Sequence, residues 1–107
     1  MNALQLIDTD VKAFSADALK EDIVQSMEAK NIEHASIIKK NKWLGYVSLT
    51  SLIASNEEDL TLLIEEGLSK TYFLPNQHLY EIYPSFQRSV LSEISIIDEE
   101  GVYLGSA

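Results

Sequence analysis

The sequence predicts an α/β protein of the α+β kind, built as two tandem β-α-β-β-α units packed as a pair, the second lacking its last helix in this chain. Three observations carry this reading. First, Ile32-Glu33-His34-Ala35-Ser36-Ile37-Ile38, a short loop and Trp43-Leu44-Gly45 return 59 residues later as Leu91-Ser92-Glu93-Ile94-Ser95-Ile96-Ile97, a loop and Tyr103-Leu104-Gly105. Repetition at that period marks one supersecondary unit used twice. Second, within each copy the apolar positions pass from helical spacing to short β-branched runs in the same order. Third, 107 residues suit one domain, or two half-domains sharing a core, and not two independent domains.

The first unit, residues 1–59, opens with Val11-Lys12-Ala13-Phe14, which alternates like a short strand. Ser15 and Asp17 are candidate helix N-caps, and Leu19, Ile23, Val24 and Met27 fall on one face of the helix that follows. Ala35 to Ile38 reads as a buried strand, Lys39 to Lys42 as a turn, and Trp43 to Ser48 as the returning strand of a hairpin. Leu49 to Ser55 should form a short helix packing Leu52 and Ile53, and Asn56-Glu57-Glu58-Asp59 is the expected linker.

The second unit, residues 60–107, repeats the plan. Thr71-Tyr72-Phe73-Leu74 is the strand and Pro75-Asn76 the turn and cap. The helix should carry Leu79, Ile82, Tyr83 and Phe86, with Pro84 kinking it or shifting its start. A hairpin from Ile94 to Leu104 turns at Asp98-Glu99-Glu100-Gly101. Gly105-Ser106-Ala107 matches Gly45-Tyr46-Val47, so the counterpart of Ser48 to Ser55 is expected from sequence beyond Ala107 or from another element. Upstream, Leu6-Ile7-Asp8 resembles Leu63-Ile64-Glu65.

Composition narrows the function. Seventeen acidic against eight basic side chains give a net charge of −9, which repels polyanions and argues against nucleic acid as a partner. The longest uncharged apolar runs fall far short of the roughly 20 residues that span a bilayer, and the N-terminus lacks a secretory pattern, so a soluble, cytoplasmic protein is expected. With no cysteine, thiol chemistry is excluded.

An enzyme would need a nucleophile with its base, a metal cage or a phosphate loop. The glycines, at 45, 67, 101 and 105, form no phosphate-cradling loop. His34 and His78 lie in different units without metal-ligand spacing, His78 reading as a surface position in the first helical turn. Glu57-Glu58-Asp59 and Asp98-Glu99-Glu100 lack the alternation of a calcium loop and read as solvated linker and turn. Lys39, Lys40 and Lys42 read as a solvated hairpin tip, and Arg88 as a surface or interface residue. No catalytic or metal residue is assigned, and the chain is expected not to be an enzyme. Trp43, Tyr103, Tyr72, Tyr80 and Tyr83 are expected to pack in the core, on a sheet face, or between two copies, since so small a module leaves apolar helix faces that a homodimer would bury.

These residues together resemble a tandem pair of CBS domains, the Bateman module. The carriers are the Met27 helix before Ile32 to Ile38, Trp43-Leu44-Gly45-Tyr46-Val47-Ser48 followed by Leu52-Ile53, and Ser95-Ile96-Ile97-Asp98 before Gly101 to Gly105. The cadence resembles small bacterial proteins made of one CBS pair. The resemblance implies a non-enzymatic regulatory module that senses a ligand such as adenosine, AMP, ATP or S-adenosylmethionine between its units. Carried over by position, it places Ser48 near a phosphate and Ser51 where an Asp would meet the ribose hydroxyls, and it implies adenine contacts from Ala13, His34, Ala35 and Ile38. Ser36 and Ser95 stand where a proline commonly precedes the paired aliphatics. Ser51 in place of Asp removes the bidentate acceptor a ribose diol prefers. That change and the acidic charge favour the alternative, an interaction or dimerisation module without a small ligand.

Overall fold

The computed structural model describes residues 13–69, 71–77 and 94–106. Strand β1 (Phe14–Ser15) is followed by helix α1 (Lys20–Lys30), strands β2 (His34–Lys39) and β3 (Lys42–Ser48) and helix α2 (Leu49–Ala54). Two 3-10 turns, Leu60–Leu63 and Glu66–Leu68, lead into β4 (Tyr72–Phe73), β5 (Ser95–Ile97) and β6 (Tyr103–Ser106). The strands form two three-stranded sheets of orders β1-β2-β3 and β4-β5-β6. In each, the middle strand runs parallel to the first and antiparallel to the third. Even the irregularities repeat, because the register slips at Ile37/Ile38 in one sheet and at Ile96/Ile97 in the other. This is the α+β pair that the repeat predicts.

Helix α1 starts later than expected. Neither Ser15 nor Asp17 caps it; the N-cap is Leu19, without a side-chain bond. Ser15 is still paired to Ile38 in β1, so the chain must turn before the helix begins, and the Ser15 hydroxyl accepts the Asp17 N–H within that turn at 3.1 Å. As the N-cap, Leu19 leaves the helical face and is 68% exposed. Glu21 and Asp22 in the first turn and Lys30 in the last complement the helix dipole. Asn31 at φ 55° ends the helix in the left-handed region.

Ile23 and Met27 on α1 meet Ala35 and Ile37 of β2, Val47 of β3 and Leu52 of α2 in the first core. Leu60 joins them, so the chain beyond the acidic stretch folds back on the first unit. Contrary to the expectation for α2, only Leu52 is buried and Ile53 is 60% exposed. A six-residue helix buries one stripe, and the next residue lies about 100° round the axis. The second unit's core includes Phe73, Ile94, Ile96 and Ile97. Its expected helix, with His78, Leu79, Tyr80, Ile82, Tyr83, Pro84, Phe86 and Arg88, lies outside the described residues, as do Val11 and Lys12.

The β2–β3 turn places Lys40 at φ 52° and Asn41 at φ 67°, the two-residue geometry that suits strand twist. At this tip the units join. The Trp43 N–H donates to the Gly101 carbonyl and the Tyr103 N–H to the Asn41 carbonyl, each at 2.8 Å, and the Lys42 ammonium donates to the Glu100 carbonyl at 2.6 Å.

Candidate functional site

Side-chain alternation along β2 sorts its residues into two roles. Ala35 and Ile37 point into the first core, and His34 and Ser36 take the opposite face. That face meets the second unit. The buried hydroxyls of Ser36 and Ser95 hydrogen-bond each other, and Trp43 Nε1 donates to Ser36 Oγ at 3.3 Å. Beside them Tyr46 spans the seam: its hydroxyl donates to the Thr71 carbonyl and accepts the Ser95 N–H, both at 2.8 Å. Burial pushes the Tyr46 phenol above its ordinary value of 10.0, with the bonds from Ser95 opposing the rise. Trp43 packs edge-on against Tyr46 at 5.2 Å and Tyr72 at 5.6 Å. These aromatics hold the seam.

Next to the seam lies a polar cluster. His34 is the register partner of Ser48 across β2 and β3. Ser48 caps α2, its hydroxyl oxygen accepting the Ser51 N–H at 3.1 Å. Both serine hydroxyls donate to the same carboxylate oxygen, Oε1 of Glu65, from 3.2 Å for Ser48 and 3.0 Å for Ser51. Glu65 is half-buried, and its N–H donates to the Tyr46 carbonyl at 2.8 Å. The preceding Ile64 lies against Gly45, where an added Cβ would come within 2.6 Å of its Cγ2.

The structure therefore gathers His34, Ser48 and Ser51, and adds Glu65, which sequence reasoning did not assign. The pairing of Leu63-Ile64-Glu65 with Leu6-Ile7-Asp8 was the signal that could have singled it out. Ala35 keeps its side chain in the core, leaving its backbone as the available contact. Ile38 lies toward the other end of β2, four positions or ~13 Å from His34, and Ala13 directly precedes Phe14, which pairs with Ile37.

A concavity of about 430 Å³ in the second unit is lined by Leu74, Pro75, Asn76, Asp98, Glu99 and Glu100. Asp98 Oδ1 there accepts the N–H groups of Glu100 and Val102, each at 2.9 Å, to shape the hairpin turn. The other acidic stretch is shaped in the same way: Asp59 accepts the N–H and hydroxyl of Thr61, which hold its carboxyl below the usual range. Among the described residues no three side chains of His, Asp or Glu are arranged to hold a metal ion, and no described helix is long and apolar enough to cross a membrane.

No protein-family model matches the chain, and no curated protein matches it. Solved structures do. A CBS domain pair/ACT domain protein of Thermotoga maritima superposes with a TM-score of 0.84 at 13% identity, over 99% of this chain and 88% of that one. The cystathionine β-synthase pair domain of a Shewanella oneidensis protein, named as a Mg2+ transporter, gives 0.83 at 18% identity, over 100% of this chain and 65% of that one. CBSX2, solved in complex with AMP, gives 0.77 at 12% identity, over 98% and 87%. Two repeated sheets joined at their hairpin tips, and superpositions that run nearly end to end, agree: the chain has the fold of a CBS domain pair.

Proposed function

We propose that this chain is a non-enzymatic regulatory module of the cytoplasm that senses a small adenine-bearing ligand, a nucleotide or nucleoside, beside the seam between its two units. The observation that carries this reading is the adjacency of two arrangements. His34, Ser48, Ser51 and Glu65 offer polar groups of the kind a hydroxyl-bearing ligand needs, and Tyr46 links them to the second unit. Its carbonyl takes the Glu65 N–H while its hydroxyl holds Thr71 and Ser95. A ligand that favours one setting of this linkage shifts how the units pack, which is the thermodynamic requirement for signalling. The AMP found with CBSX2, whose fold this chain shares, supports the ligand class.

A thermal-shift screen with adenosine, AMP, ATP with magnesium and S-adenosylmethionine tests the proposal. A ligand at about 100 times its dissociation constant adds roughly 2.7 kcal/mol of stability. A rise in Tm with one of them is expected, and no rise with any favours the second reading.

That second reading is a dimerisation or interaction module. Leu19 beside α1 and Ile53 on α2 are 68% and 60% exposed, and a second copy of the chain would cover them. We propose a homodimer under either reading. Sedimentation at micromolar concentration should show twice the monomer mass, and a monomer there counts against it.

A further inference from the structure

We propose that Glu65 makes the cluster select a phosphate-free, hydroxyl-bearing ligand of the nucleoside class over its phosphorylated counterparts. This rests on the ligand-sensing reading and adds to it the charge class of what is sensed.

Glu65 is held in place from three sides. Its N–H is bound to the Tyr46 carbonyl, Ile64 before it is seated on Gly45, and its Oε1 takes the hydroxyl protons of Ser48 and Ser51. The two hydroxyls that would otherwise donate to a phosphate are thus already committed to a carboxylate. Binding a phosphate there would require both to rotate away and would bring two anions together. No lysine among the described residues pairs with Glu65 to offset that repulsion, and the net charge of −9 adds to it. Among the described residues both hydroxyl bonds fall on Oε1, which leaves the acceptor capacity of Oε2 to a further donor. A neutral hydroxyl supplies a proton to Oε2, whereas a phosphate supplies only further acceptors. Ser51 stands where the resemblance places an acidic residue, and Glu65 brings a carboxylate to its hydroxyl from a different part of the chain.

Calorimetric titration of the full chain with adenosine and with AMP tests this, using wild type and Glu65→Gln. The amide keeps an oxygen acceptor for the two serines while removing the charge. Wild type should prefer adenosine by about tenfold, the size of one unit-charge repulsion at short range, and Glu65→Gln should lose most of that preference. If the variant does not melt cooperatively, the wild-type protein alone decides, because its preference should shrink between about 50 mM and about 500 mM salt as the repulsion is screened. Equal affinities in wild type, or a ratio that neither the variant nor salt changes, overturns the selection by Glu65 and leaves nucleotide sensing standing. Binding of neither compound to either protein overturns both.

Discussion

Ser36 and Ser95 occupy the same position in the two repeated units, and their buried hydroxyls hydrogen-bond each other across the seam. A sequence repeat of 59 residues has become a contact between the repeated residues themselves, as expected when two like units pack about an approximate twofold axis.

The two serines are not equivalent, which leads to an asymmetric prediction. Ser36→Ala breaks the bond to the fully buried Ser95 hydroxyl and also takes the acceptor from Trp43 Nε1, so it should cost about 1–3 kcal/mol. Ser95→Ala leaves Ser36 with the Trp43 donor and should cost less, about 1 kcal/mol. A double-mutant cycle by urea unfolding should return a coupling of about 1 kcal/mol between them. Strictly additive losses would show that the hydroxyl pair contributes nothing.

Tyr46→Phe should cost about 2 kcal/mol near neutral pH, because the buried Ser95 N–H loses its acceptor and the Thr71 carbonyl its donor. The cost should also depend on pH. Burial raises the folded phenol above 10.0, so the unfolded chain ionises first. The contribution of Tyr46 is complete below pH 10.0 and declines as pH rises from there through the folded value. Denaturant titrations at about pH 7 and about pH 11 should therefore show wild type and variant converging at high pH. A constant gap would contradict this account of the seam.

Gly45→Ala should destabilise by about 2–3 kcal/mol, combining a strained backbone with an overpacked contact. At φ 146° an L side chain is disfavoured, and its Cβ would meet Ile64 Cγ2 at 2.6 Å. In an Ile64→Ala background the steric part vanishes and only the backbone part persists, so the same substitution should cost measurably less. Equal costs in both backgrounds, read from denaturant midpoints, would place the effect elsewhere.

Much of the fold was legible because local chemistry and tertiary packing agree. Ala35 to Ile37 is buried and runs into the β-branched pair Ile37-Ile38, Lys40-Asn41 makes the tight turn, and Asp98 organises its own hairpin turn through Oδ1. The start of α1 was not legible. Ser15 looks like a cap in isolation but belongs to β1, whose pairing with Ile38 brings together residues far apart in the chain. Ile53 looked like a core residue because its neighbours are apolar, yet which stripe of α2 faces α1 is set by packing.

The sequence by itself determined that one unit occurs twice, and through the order of its apolar and turn positions it determined what each unit is. Through the family resemblance it also offered His34, Ser48 and Ser51 as candidate site residues. Tertiary structure alone decided that Ser36 meets Ser95, that Tyr46 reaches both Thr71 and Ser95, and that Glu65 sits under two serine hydroxyls. The reason is geometric. Glu65 lies seventeen positions after Ser48, and only after Leu60 is buried in the first core and Ile64 is seated on Gly45 does the chain return to place that carboxylate.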